Sequence, residues 1–261
     1  MEQHFNTPAE VIDNNMKAGE GKAHLPLGKM ILLGIMAGAF IALGGATSST
    51  AAHAIDNVGL ARFVAGIIFP VGLMIIVFVG GELFTGNCLM VMALLERRIT
   101  PAQLLRNWLT VYLGNAMGGA AVAALAVYSH TASLFGDGLA RSMVSIAESK
   151  AALGAGDAFL RGVLCNFLVC LAVWMAAASK RAEGKVIALF FPILLFVLCG
   201  YEHCIANLYY LPAGAFAAAE YGMETTLTLA GCLKNLAAVT LGNLVGGAAL
   251  GVGYRFVYLK E

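Results

Sequence analysis

Charge is what this chain has least of. Only 12% of its 261 residues are Asp, Glu, Lys or Arg, against 60% hydrophobic residues and a mean hydropathy of +0.81. A soluble domain carries charge on about a quarter of its residues. A chain of this size with so little polar sequence cannot coat a buried core, which excludes a soluble globular protein. The net charge of +1 offers no electrostatic footprint for nucleic acid. The first 28 residues are mixed polar and charged, and no apolar run before a small-residue cleavage site marks a signal peptide. The six cysteines (Cys88, Cys165, Cys170, Cys199, Cys204, Cys232) form no CxxC pair and mostly fall inside apolar runs. Cys165 and Cys170 are five apart, a poor spacing for metal on one helix, so the cysteines read as small packing residues. No metal or cofactor is expected, and no enzymatic chemistry.

What the chain has instead is long uncharged runs. Met30–Ala52, Phe63–Gly81, Asn107–Gly136, Gly162–Ser179, Val186–Tyr201 and Asn235–Tyr254 carry no charged residue. Most approach or exceed the roughly 18–20 residues that cross a ~30 Å hydrocarbon core. The expected fold is an all-α integral membrane protein of six spans. Lys17, Lys22, Lys29, Arg97, Arg98, Arg106, Lys180, Arg181, Lys185, Arg255 and Lys260 fall on one side, and Arg62, Arg141, Lys150, Arg161 and Lys234 on the other. That bias puts both termini in the cytoplasm.

The chain also repeats itself. LGNAMGG at Leu113–Gly119 matches LGNLVGG at Leu241–Gly247, 128 positions on, and Glu82 and Asn87 correspond to Glu202 and Asn207 at an offset of 120. A proline precedes each pair, Pro70 and Pro192. Three shared features in one order make spans 1–3 and 4–6 copies (about residues 29–130 and 156–258). Three spans per copy invert the second in the membrane, as in many channels and transporters. Residues 1–28 are expected as a cytoplasmic segment before the membrane domain of 29–261, with Pro8–Lys22 readable either as a short amphipathic helix or as an unstructured tail. Gly34-x-x-x-Gly38 and Gly114-x-x-x-Gly118 have the spacing that lets helices pack closely in lipid.

The copies place the irregularities. Glu82-Leu83-Phe84-Thr85-Gly86-Asn87 and Gly200-Tyr201-Glu202-His203 put carboxylates and glycines mid-membrane, so spans 2 and 5 read as broken helices. Half-helix N-termini would then favour an anion at the midplane. Glu82 and Glu202 read as caps on freed N–H groups at the breaks. His203 is the one histidine in an apolar stretch away from both surfaces, and its site at a break favours a working imidazole. Lys150, by pattern alone, is a solvated loop charge.

These motifs resemble the formate/nitrite transporter family: GELFTGN in span 2, Gly162–Met175 in span 4, GYEHCIAN in span 5 and VTLGNLVGG in span 6. The resemblance runs from about Asn6 to Tyr258. It implies homopentamers of aquaporin-like protomers in a bacterial-type cytoplasmic (inner) membrane, each protomer passing small monovalent anions such as formate, nitrite, hydrosulfide or lactate. By the resemblance, Thr85 and His203 are central pore residues, Lys150 attracts anions, and Asn166, Asn207 and Asn243 are amides at or near the pore. Leu83 with Phe196 resemble one apolar constriction and Phe69 with Leu73 the other. The N-terminal helix resembles a cytoplasmic gating element. The expected mechanism gathers an anion near Lys150 and hydrogen-bonds it at Thr85 and His203, with His203 or a water beside it lending a proton. Formate leads, with hydrosulfide and nitrite as alternatives. A membrane haem or redox subunit, or an anion sensor, are the rivals of other classes.

Overall fold

The computed structural model describes residues 4–259; Lys260, counted among the cytoplasmic charges, lies outside the described residues. Twelve α-helices are described: α1 (Pro8–Ala23), α2 (Leu27–Ala52), α3 (Val58–Ile68), α4 (Val71–Val79), α5 (Phe84–Asn87), α6 (Val91–Leu95), α7 (Pro101–Tyr128), α8 (Gly138–Ala152), α9 (Ala155–Ala178), α10 (Ala182–Leu198), α11 (Cys204–Glu220) and α12 (Leu229–Tyr258). Among the described residues there is no strand, only one isolated bridge between Phe5 and Ser179. Five segments are long and apolar enough to cross a bilayer: α2, α3 with α4, α7, α9 and α12. The remaining hydrophobic run is α10, 17 residues, followed across a break by α11, also 17 residues.

Local chemistry sets the helix starts. Thr7 and Glu10 close a capping box on α1, with Pro8 at its first position, and Thr100, Pro101 and Gln103 repeat the device on α7. Of the two alternatives for the N-terminal segment, the amphipathic helix is the one found. It buries Val11, Ile12 and Met16 against Cys88, Leu89, Met92, Cys170, Trp174 and Leu250. Full burial of three such side chains is worth about 1.5–3 kcal/mol each.

The two copies are built alike. Helix α2 packs along α7, and α9 packs along α12. The glycine pairs make those contacts: a β-carbon at Gly38 would collide with the Asn115 carbonyl, and one at Gly118 with that of Ile35. In the second copy, β-carbons at Gly242 and Gly246 would collide with the carbonyls of Phe159 and Val163. Backbone-to-backbone packing of this kind is available only to residues without side chains.

Candidate functional site

Both breaks open on a glycine with positive φ, Gly80 at 100° and Gly200 at 68°, a region side-chain-bearing residues avoid. Extended residues then lead to the N-caps of α5 and α11, Leu83 and His203. Extended backbone at this depth needs partners for its polar groups, and two asparagines supply them. Asn115 Oδ1 accepts from the Phe84 N–H (3.0 Å), while its Nδ2 donates to the carbonyls of Gly34 (2.7 Å) and Glu82 (2.9 Å). Asn243 does the same for the N–H of Cys204 (2.9 Å) and the carbonyls of Gly162 (2.8 Å) and Glu202 (2.9 Å). The LGN motif is therefore a clamp on each break.

Beside each clamp lies a buried polar cluster. Glu82 Oε2 accepts from Asn87 Nδ2 (2.7 Å), which also reaches Asn107 Oδ1 (2.8 Å), and Lys22 Nζ stands 3.0 Å from Glu82 Oε1. Glu202 Oε2 accepts from Asn207 Nδ2 (2.7 Å), which also reaches Asn235 Oδ1 (2.8 Å), and Lys150 Nζ stands 2.9 Å from Glu202 Oε1. The glutamates thus do not cap freed N–H groups, as their sequence position led us to expect; each pairs with an asparagine and a lysine. Lys150 is not a solvated loop charge either. It sits at the end of α8 with its side chain 16% exposed, 5.2 Å from the Tyr210 ring centroid.

Between the clusters the symmetry stops. Thr85, on α5, and His203 lie 2.9 Å apart, Oγ1 to Nε2, both buried. His203 Nδ1 accepts from the Ala206 N–H at 3.2 Å, capping α11. With Nδ1 occupied as acceptor, the neutral ring carries its proton on Nε2 and donates it to Thr85 Oγ1. The threonine hydroxyl is then free to donate to a solute. Asn166 Nδ2 and Cys170 Sγ both donate to the Thr85 carbonyl (3.2 and 3.3 Å), fixing that turn from α9.

Two cavities approach this centre from opposite ends. One, about 640 Å³, is lined by Lys150, Glu202, His203, Phe69 and Phe196 among others; the second, about 400 Å³, by Lys22, Leu73, Leu83 and Asn87 among others. The apolar residues therefore sort differently from the expected pairs. Phe69 packs edge-on against Phe196 at 5.5 Å, and Phe196 stacks on the His203 ring at 5.8 Å, so these two phenylalanines floor the α8-side cavity. Leu73 and Leu83 border the α1-side cavity. All four are no more than 4% exposed. Asn166, Asn207 and Asn243, expected at or near the pore, line neither cavity, and neither does Thr85; the three amides hold the breaks and Glu202.

Sequence reasoning missed Lys22, Asn107, Asn235 and the clamping role of Asn115. The signal was present for the lysine, since Lys22 precedes Lys150 by 128 positions, the offset of the LGN repeat. It was hidden because Lys22 lies in the segment set apart from the repeats.

A multi-pass bundle with two broken helices, a buried Thr–His pair and a cavity on each side is a membrane transport protein. Residues 9–258 match the formate/nitrite transporter family model. The chain is 36% identical over 267 residues to the formate channel FocA of Haemophilus influenzae, covering 96% of this chain and 94% of that one. A solved FNT family ion channel superposes with a TM-score of 0.86 at 31% identity, covering 95% of this chain and 98% of the other. A pentameric formate channel with formate bound superposes with a TM-score of 0.79 at 31% identity, covering 90% and 98%. The chain belongs to the formate/nitrite transporter family, whose members are transporters and channels rather than enzymes.

Proposed function

We propose that this protein is a channel for small monovalent weak-acid anions, formate first, working as a homopentamer in the cytoplasmic membrane of a bacterial-type cell with both termini inside. The observation that carries the reading is the Thr85–His203 pair, the polar step between one floor of Phe69 and Phe196 and another of Leu73 and Leu83. The homopentamer rests on the likeness to the pentameric formate channel. The orientation rests on the excess of Lys and Arg on the side of α1.

Magnitudes decide what crosses the floors. An unpaired anion moved into an apolar constriction loses several kcal/mol of hydration at least. Protonating an ordinary carboxylic acid three to four pH units above its pKa costs about 4–5.5 kcal/mol. A carboxylate drawn toward Lys150 and then protonated thus meets a lower barrier than a bare ion. Because His203 Nδ1 is held by the Ala206 N–H, the proton comes from vestibule water rather than through the imidazole. Thr85 and His203 then replace the hydrogen bonds the solute left in water. Phe69, Phe196, Leu73 and Leu83 are the constrictions, and docked α1 is the gating element of the Lys22 mouth. Hydrosulfide and nitrite, also conjugates of weak acids, are the alternatives within this reading. The haem or redox rival falls with the family assignment.

The experiment is uptake into proteoliposomes of formate, nitrite, hydrosulfide, lactate and chloride, each presented alone. Formate outrunning chloride is the expected result. Folded protein that passes none of the weak-acid anions would overturn the proposal.

A further inference from the structure

Internal symmetry separates what the fold needs from what one mouth alone carries. Glu82 N–H donates to the Leu33 carbonyl (3.1 Å), and Glu202 N–H donates to the Arg161 carbonyl (3.3 Å). Leu33 and Arg161 are thus equivalent positions, 128 apart like the two LGN motifs, and the fold accepts a leucine there. Arg161 nonetheless lines the α8-side cavity, and so does Arg62. Arg62 lies against the second break, where a β-carbon on Gly200 would stand 2.5 Å from its Nη1. Its nearest equivalent, Lys185, lines the other cavity; the two precede Pro70 and Pro192 by eight and seven residues. Among the described residues no carboxylate oxygen pairs with Arg62 or Arg161, and Glu202, the carboxylate in this cavity, is already held by Lys150. Ser48, Ser49, Ser142, Ser145, Ser149 and Tyr210 add hydroxyls to the same wall.

Resting on the anion-channel reading above, we propose that Arg161, with Arg62, is an anion-selecting pair at the α8 mouth that favours planar two-oxygen anions over those with one heavy atom. A guanidinium presents parallel N–H donors whose spacing matches a carboxylate or nitrite; hydrosulfide and chloride cannot use the second donor. The α1-side cavity is lined by Lys22 and Lys185 and by no arginine, and lacks this preference. The arginines therefore act at capture, before the floors, and set the concentration dependence of uptake rather than its ceiling.

The test is the concentration dependence of uptake of formate, nitrite, hydrosulfide and chloride, wild type against Arg161→Leu, Arg161→Lys, Arg62→Gln/Arg161→Leu and Leu33→Arg, each confirmed as an intact oligomer by gel filtration. Arg161→Leu should raise the KM for formate and nitrite by about fivefold at unchanged maximal rate, the scale of one solvent-accessible ion pair. Arg161→Lys should keep the wild-type KM for hydrosulfide and chloride but not for formate. Leu33→Arg should lower the formate KM for transport from the α1 side, an arm that survives if Arg161 variants fail to assemble. Wild-type formate KM in the Arg161→Leu and double variants, or full recovery of formate KM by lysine, would overturn the arginine assignment while leaving the channel reading intact. A wild type that passes no formate would instead defeat the channel reading.

Discussion

The two polar clusters, one at each break, are nearly superimposable in their bonds, and they differ in how the lysine is held. Lys22 touches Glu82 at 3.0 Å and also donates to Asn87 Oδ1 at 2.7 Å, with its side chain 30% exposed. Lys150 touches Glu202 at 2.9 Å and makes no bond to Asn207, whose Oδ1 is left buried and without a partner. The helices after the breaks differ too. Beyond the first break the chain runs through α5, a 3-10 turn at Cys88–Met90 and α6, 12 residues in all, whereas α11 runs 17 without interruption. Duplication preserved the clamps and clusters that let a helix break inside a membrane. It left the lysines, the central Thr–His pair and the mouth arginines free to diverge. What is shared holds the breaks, and what differs lies where the proposed channel would handle its solute.

The largest effects should fall on the shared parts, equally in both halves. Asn115→Ala and Asn243→Ala each orphan one buried N–H and the carbonyl of Glu82 or Glu202, at about 1–3 kcal/mol per group, and remove a second acceptor bond from a helical carbonyl. Thermal melts in detergent should show both variants severely destabilised or unrecoverable as oligomer; a mild loss in either would mean that its clamp is dispensable. Glu202→Gln and Glu82→Gln should then separate the halves. Each strands a lysine, and breaking a buried pair costs about 3–5 kcal/mol. Lys22 keeps Asn87 and is the more exposed, so Glu82→Gln should lower the melting temperature less than Glu202→Gln.

Central variants should touch flux first, at a folding cost of about 1–3 kcal/mol, because Thr85→Val leaves the buried His203 Nε2–H without its acceptor. Thr85→Val keeps the shape of the turn and removes the hydroxyl, and should cut formate uptake at least about tenfold, the worth of one lost hydrogen bond of ~1.4 kcal/mol. Thr85→Ser should restore most of it. The smallest effects belong to the surface. Glu148, on α8, accepts from the Thr226 N–H and Thr225 hydroxyl, and these bonds hold its carboxyl below the ordinary range. Glu10, by its bonds to Thr7, and Asp13, by its bond to Lys17, are lowered on α1 in the same way. A depressed carboxylate stabilises above its unfolded pKa and loses that contribution as pH falls through its folded one. The first turns of α1 and the Glu148 contact of α8 with Thr225 and Thr226 should therefore persist when pH falls from neutrality into the ordinary carboxylate range, and weaken only below it. Amide exchange of α1 and of Thr226 at stepped pH would show it, and loss of protection already at mildly acidic pH would contradict it.

How much of this was readable from the chain follows the same division. Spans, breaks and duplication lie in composition and local pattern, so runs such as Met30–Ala52 and the LGNxxGG repeat expose them. The site was legible where a residue type is unusual for its depth, as His203 and Glu202 are. Partnerships were not, because Lys22 meets Glu82 across 60 positions and Thr85 meets His203 across 118. Spacing on one helix also misled: Phe69 and Leu73 look like a pair at i,i+4, but one turn apart along the span they line different cavities, Phe69 the α8-side one and Leu73 the α1-side one.

Dry floors on either side of Thr85 and His203 should admit the neutral acid rather than the ion. That is tested most directly by following internal pH and formate together in proteoliposomes while an imposed potassium gradient sets the membrane potential. One proton should arrive with each formate, faster at roughly pH 5.5 than 7.5 because more of a weak acid is then neutral, at a rate indifferent to the potential. Formate uptake that follows the potential and leaves internal pH unchanged would contradict it.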